Sequence, residues 1–383
     1  MGGGGLVKDA RPGPSNTIGD VAGLRVGHAE DRVAKTGVTV LVADAPFTAS
    51  VDVRGGAPGT TETDLLAPGA TVARVDALVL SGGSALGLAS VAGVVEGLRQ
   101  RERGFSVGPV RVPIVPGAIL FDLLNGGRKP WDEPDGSTDE AVAPHGFYAA
   151  LGRAALDHAF SGTHTDVGTP PLGTVGAGTG ATTADCKGGL GSASLLVPCE
   201  RDEPFTVGAL VAVNAVGSVL AGNGPHFLAG AHERRGTDGR EGTDEFEFGG
   251  LGPGRGLPGR IKGRAADGTA QHGNTTIGIV ATNAPLGKAE CARLAVAAQA
   301  GLARAIWPAH TPLDGDVVFG VSTGGMGGDS EGGTGPSLDP DTMLDLAAAA
   351  GDCMARAIAR GVYEARSEPG DLVPTWRERF GRG

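Results

Sequence analysis

Asn274-Thr-Thr-Ile-Gly-Ile-Val-Ala-Thr-Asn283 is the stretch on which the reading of this chain turns. Its β-branched and apolar residues, free of proline, predict a buried strand. The forty or so residues before it (about 232–271) differ in character: they are rich in Gly, Arg, Asp and Glu, as in Glu233-Arg-Arg-Gly-Thr-Asp-Gly-Arg-Glu-Gly-Thr-Asp244, with little periodicity. A structureless stretch of that length is abnormal inside a compact domain, so it reads as a linker or a mobile segment. The junction Asn274-Thr275 has a chemical meaning of its own. A threonine hydroxyl beside a strained peptide bond can attack the preceding carbonyl, forming an ester that water opens. Thr275 would then begin a new chain, its α-amine (pKa ~7.7–8.0) serving as base for its own hydroxyl. The residues alone equally admit a loop meeting a strand.

Outward from this strand, a helix is predicted from Lys288 to Ile306, with Leu294, Ala298, Leu302 and Ala305 on one face. Gly287 and Glu290 stand three apart, like a capping box without its hydroxyl. A strand over Asp316–Ser322 and a final helix over Pro340–Ala365 follow. Upstream, Val38–Val42, Val75–Leu80, Val112–Val115, Ser192–Val197 and Val207–Val216 read as strands. Ser84 is placed to cap a helix over Ala85–Gln100. Strands and helices mix without a regular βαβ rhythm, which predicts a layered α+β fold.

Composition narrows the class. The 383 residues include 69 Gly and 25 Pro, yet 40% are hydrophobic and 20% charged; this excludes global disorder, and no Gly-X-Y period suggests collagen. Aromatics are 4%, so the core is Ala, Val, Leu and Ile, which favours tightly spaced layers. A net charge of −11 without a Lys/Arg run argues against nucleic acid. No apolar run reaches the ~18 residues of a membrane span, and the first residues lack a signal core. Four cysteines without CxxC spacing fit a cytoplasmic protein with reduced thiols.

Several motifs invite chemistry. Gly176-Ala-Gly-Thr-Gly-Ala181 lacks GxGxxG spacing and a following acidic strand end, so a tight turn or backbone-donor loop is favoured over a nucleotide site. The eight histidines show no HxH or HxxxH pairing, and neither a zinc site nor any other cofactor is expected. Ser192 and Ser322 lack a GxSxG elbow. In Asp314-Gly-Asp316 an extended chain points both carboxylates to one face; they suit an ammonium, a hydroxyl, a cation or a plain turn. Lys187, one of only six lysines against 26 arginines, sits in a glycine-dense stretch and reads as a site ammonium or a surface lysine. Asn214 is polar within an apolar strand, fitting an oxyanion donor or a structural amide.

In order, Ile18–His28, Arg54–Thr60, Ser81–Leu88, Val112–Pro116, Val175–Gly180, Lys187–Ala193, Val211–Asn214, Gly273–Ile277 and His310–Asp316 resemble the motifs of the DmpA-like peptidases, peptidase family S58. That family holds L-aminopeptidase/D-esterases, β-peptidyl aminopeptidases and 6-aminohexanoate-oligomer hydrolases. The resemblance implies a four-layer αββα sandwich of the N-terminal-nucleophile type, a single domain made of two self-cleaved chains, 1–274 and 275–383. It implies Thr275 as nucleophile, Asn214 as oxyanion donor, Lys187 beside the nucleophile, and Asp314 and Asp316 positioning the nucleophile or a substrate amine. Tyr148 is a candidate for a tyrosine that members place at the site, and Ser84 a candidate substrate contact. Some members use Ser as nucleophile with a Ser/Glu pair; Thr with Asp/Asp looks closer to the nylon-oligomer hydrolases, whereas the motifs at Ser81 and Gly176 look closer to the peptidases. The implied substrate is a small amide or peptide, and the implied assembly a homo-oligomer of processed pairs, with a tetramer favoured. Acyl transfer of the ornithine acetyltransferase type is the alternative.

Overall fold

The computed structural model describes residues 10–132, 143–161, 171–199, 203–234, 246–262, 273–324 and 338–381. Its strands are β1 (Leu24–Asp31), β2 (Thr36–Val53), β3 (Thr60–Thr61), β4 (Val75–Ser81), β5 (Phe105–Val107), β6 (Val110–Val112), β7 (Gly117–Ile119), β8 (Gly189–Val197), β9 (Phe205–Asn214), β10 (Thr275–Thr282) and β11 (Val317–Ser322). The helices are α1 (Ser84–Gly87), α2 (Ser90–Gln100), α3 (Pro144–Ser161), α4 (Lys288–Ala305), α5 (Pro340–Tyr363) and α6 (Trp376–Phe380).

The long strand β2 belongs to two layers. Its first part pairs with β1 and β4, and its end, Thr48–Val53, pairs with β11. Between Val42 and Phe47 the β4 register shifts; Pro46, which has no N–H to give the ladder, sits in that bulge. The bend sends β2 from a sheet ordered β3-β7-β4-β2 into one ordered β2-β11-β10-β9-β8.

Strand alternation then fixes the layers. Val38, Val40, Val42, Ala77 and Val79 face Val94 and Leu98 of α2 and Leu156 of α3. The intervening Leu41, Leu78 and Leu80 meet Leu210, Ala212, Ile277, Ile279 and Phe319 between the sheets. Val211, Val213, Val280 and Val318 face Leu294 and Leu302 of α4 and Met354 and Ile358 of α5. Three stacked apolar layers between helices, sheet, sheet and helices make an αββα sandwich, since each strand buries both faces. Close spacing follows from small residues: a Cβ on Gly191 would overlap the carbonyl of Ala357 on α5.

Local details differ from the sequence reading. The helix expected over Ala85–Gln100 is two, α1 and α2, and Ser84 does not cap it; Gly83 holds the N-cap without a side-chain bond, and Ser84 has φ 52°. The strand expected over Val112–Val115 ends at Val112, since Pro113 and Pro116 remove ladder donors. Helix α5 is capped by Asp339, which accepts from the amides of Asp341 and Thr342. Of the segment read as mobile, 235–245 and 263–272 lie outside the described residues, but 246–262 packs. The Glu247 carboxylate accepts from Arg356 Nε at 2.9 Å and from Asn16 Nδ2 at 2.6 Å, and Phe248 is buried against Phe227. Without periodicity, nothing in that segment advertises a carboxylate needed by a buried guanidinium.

Candidate active site

Thr275 opens β10 directly opposite Asn214, the last residue of β9. Facing residues of an antiparallel pair project to the same side. Both share the parity of Ile277, Ala212 and Leu210, so the site lies at the mouth of the layer between the sheets. Thr275 is buried, and its Oγ1 donates to the carbonyl of Asn274 at 2.5 Å. The same carbonyl accepts from Gly315 N at 2.9 Å. A Cβ on Gly315 would lie 2.7 Å from Thr275 Oγ1, so glycine leaves the hydroxyl its place.

The two aspartates brace this point through backbone amides. Asp314 Oδ1 accepts from Val216 N at 3.2 Å, just past β9, and its Oδ2 accepts from the amide and hydroxyl of Thr311. Asp316 Oδ1 accepts from Thr276 N at 2.9 Å, the residue after Thr275. Its Oδ2 faces the amide and Nδ1 of His310. Burial and the neighbouring Asp316 charge raise the Asp314 carboxyl above the usual carboxylate range, and the Asp316 hydrogen bond raises the His310 imidazole.

Asn214 joins the walls. Its Nδ2 donates to Phe121 O at 2.9 Å, and its Oδ1 accepts from Thr182 N at 3.0 Å and from Lys262 Nζ at 3.1 Å. A cleft beside it is lined by Phe121, Asp122, Asn125, Gly180, Thr182, Lys262 and Gly273. One wall therefore follows β7 of the first sheet, and the other is built from the turn before β8 and the chain leading to Thr275.

Thr275, Asn274, Asn214, Asp314 and Asp316 are thus brought together. Lys187 is buried rather than on the surface, and its ammonium is bound to Asp371 Oδ2 at 2.7 Å, with Lys35 on the other oxygen at 2.6 Å. Tyr148 is fully buried and does not line the cleft: its hydroxyl meets Thr36 Oγ1 at 3.3 Å and its ring fills the space beside Gly83. Asp122, which lines the cleft, accepts from the amide of that same Gly83 at 2.7 Å. Ser84 is half-buried, its amide donating to Leu120 O at 2.8 Å. The lysine that touches Asn214, Lys262, was missed. Its signal was the scarcity of lysine that singled out Lys187, hidden by the irregular segment around it. Among the described residues no group of three His, Cys, Asp or Glu is arranged to hold a metal ion, and no helix is long and apolar enough to cross a membrane.

The αββα sandwich with its site at the mouth between the sheets is the fold of the N-terminal-nucleophile hydrolases, a class defined by how the first residue of a strand is presented. A family model, peptidase family S58, matches residues 16–372, and the chain belongs to that family of amide-bond hydrolases. An uncharacterized aminopeptidase of Mycobacterium tuberculosis is 40% identical over 382 residues, covering 95% of this chain and 98% of that one. A 6-aminohexanoate-oligomer endohydrolase of a Kocuria species is 28% identical over 313 residues, covering 79% and 74%. Among solved structures, a Burkholderia β-aminopeptidase covers 100% of this chain and 97% of its own, with a TM-score of 0.64 and 23% identity. The L-aminopeptidase D-Ala-esterase/amidase of Ochrobactrum anthropi, described as a variant of the Ntn hydrolase fold, covers 99% and 98%, with a TM-score of 0.63 and 21% identity.

Proposed function

We propose that this enzyme cuts its own chain between Asn274 and Thr275 and then uses Thr275 as an N-terminal nucleophile on aminoacyl amides, peptides or 6-aminohexanoate oligomers. The observation that carries the reading is Thr275 Oγ1 at 2.5 Å from the Asn274 carbonyl, which Gly315 N already polarises. Thr275 Oγ attacks the Asn274 carbonyl carbon, the hydroxyl proton passes to the Thr275 nitrogen, and the C–N bond breaks. Water hydrolyses the resulting ester, leaving the Asn274 carboxylate and a free Thr275 amine and hydroxyl. In turnover that amine, with an ordinary pKa of ~7.7–8.0, accepts the Oγ proton as Oγ attacks the substrate carbonyl. The second N–H of Asn214 Nδ2 serves the oxyanion. The amine returns the proton to the leaving nitrogen, and water releases the acyl group.

Asp314 and Asp316 hold the strand ends that aim Thr275. Lys187, held in its pair with Asp371, would act near the nucleophile as the family resemblance implies. Relatives named aminopeptidase and 6-aminohexanoate-oligomer endohydrolase support both substrate classes. A cytoplasmic site of action agrees with four unpaired cysteines. Assembly of processed pairs into a homo-oligomer is supported by exposed Phe105, Val107, Val110 and Val112 on the β5–β6 hairpin, which leave an apolar face to cover.

A denaturing gel with N-terminal sequencing tests the reading. The expected result is pieces of 274 and 109 residues, the smaller starting at Thr275. Thr275→Ala is expected to stay full-length and to lose hydrolysis of aminoacyl anilides; an active, uncut Thr275→Ala protein overturns it.

A further inference from the structure

We infer that Lys262 is a positioning residue of this site, setting the orientation of the Asn214 side-chain amide from inside the cleft; the inference rests on the reading of Asn214 and Thr275 given above. The argument is one of donors and acceptors. Asn214 has one acceptor end and one donor end, and both are buried beside Thr275. Two donors converge on one end, Thr182 N at 3.0 Å and Lys262 Nζ at 3.1 Å. An ammonium and a backbone amide carry no exposed acceptor, so only Oδ1 can face them. The NH2 group is thereby turned toward Phe121 O and the cleft, leaving one N–H for an oxyanion. Without the ammonium, Oδ1 keeps one of its two donors, and only Thr182 N at one end and Phe121 O at the other oppose the flip that would present an acceptor to a developing negative charge. Lys262 Nζ also donates to Thr182 O at 3.2 Å, tying the turn that supplies that N–H.

Its surroundings make this grip depend on pH. Burial lowers the Lys262 ammonium to about 7, and Asp314 opposes the shift. Asp122 stands in the same cleft, its carboxyl raised by burial, and the freed Thr275 amine would add a like charge when protonated. As pH rises through the Lys262 value the ammonium becomes an amine, a weaker donor, and the hold on Asn214 slackens. Activity therefore rises as the Thr275 amine loses its proton and falls as Lys262 does, giving overlapping limbs whose falling side belongs to Lys262.

The test compares Lys262→Met, Lys262→Arg, Thr275→Ala and wild type by denaturing gel and by pH-dependent hydrolysis of aminoacyl p-nitroanilides. Misplacing an oxyanion donor acts on the transition state, so Lys262→Met is expected to lose roughly 10- to 100-fold in kcat with KM nearly unchanged. Hydrolysis rates of each variant are normalised to its processed fraction read from the gel, so that slow self-cleavage in Lys262→Met does not pass for a loss in kcat. Lys262→Arg, which keeps a charged donor, is expected to restore most of the loss and to flatten the falling limb. Wild-type rates and pH profile in Lys262→Met overturn the inference, as does a defect confined to KM or an arginine variant no better than methionine. Activity surviving in Thr275→Ala sinks the nucleophile reading instead, so the two failures are separable.

Discussion

A threonine hydroxyl is a weak nucleophile unless its surroundings aim it and remove its proton. In the proposed mechanism that aim would come from two backbone amides anchored on buried aspartates, Thr276 N just after Thr275 and Val216 N just past the facing strand β9. Asn214→Ala is expected to lower kcat by about 10²–10³ with little change in KM, measured by steady-state kinetics on the processed protein. Gly315→Ala is expected to accumulate full-length chain in a gel time course, because its methyl would press on Thr275 Oγ1. At this scale much was legible. A threonine after an asparagine at a strand start, an asparagine inside an apolar strand, and an Asp-Gly-Asp each drew attention in the sequence, though each also admits a plain structural reading, and the structure brings all three together. Lys262 was not legible, because its meaning lies in Asn214, 48 residues away. The burial of Lys187 and Lys35 around Asp371 was equally hidden, since their shared carboxylate comes from the far end of the chain.

Among the elements, α5 carries more than an apolar face. Its Arg356 is fully buried and donates to Glu247, Asn16 and the Ser194 carbonyl, joining the helix to the segment upstream of Thr275 and to the chain start. Glu247→Ala strands that guanidinium without its counter-charge and is expected to cost about 3–5 kcal/mol, read from denaturant unfolding. Burial alone would raise the Glu247 carboxyl, but Arg356 outweighs it and holds the carboxyl below the usual range. A depressed folded value gives stability that is complete above the unfolded glutamate value of ~4.3 and is lost as pH falls from there through the folded value. Unfolding midpoints between neutral and acid pH should therefore fall more steeply for wild type than for Glu247→Gln. Most strands and both long C-terminal helices were readable because their periodicity is strong. The bend of β2 and the split of α1 from α2 were not, because a bulge and a left-handed serine are set by the neighbouring strands and loops.

For the whole molecule, a cut at 274–275 would fall at the start of the inner strand β10 and leave its pairing intact. β10 stays paired with β9 and with β11, β11 stays paired with β2, and Arg356 stays with Glu247. The 274- and 109-residue pieces are accordingly expected to elute together from a sizing column and to part only in denaturant. The apolar, β-branched strand at Asn274–Asn283, the helical periodicities and the scarcity of aromatics determined by themselves a tightly layered α+β protein. Periodicity and composition are local properties, and they carry that much. Which groups meet Thr275 was decided only by the tertiary structure. The register of β9 against β10 sets Asn214 opposite the threonine, the turn before β8 delivers Thr182, and the irregular segment returns Lys262 to the same amide. Such meetings depend on strand pairing between distant parts of the chain, and no local pattern encodes them.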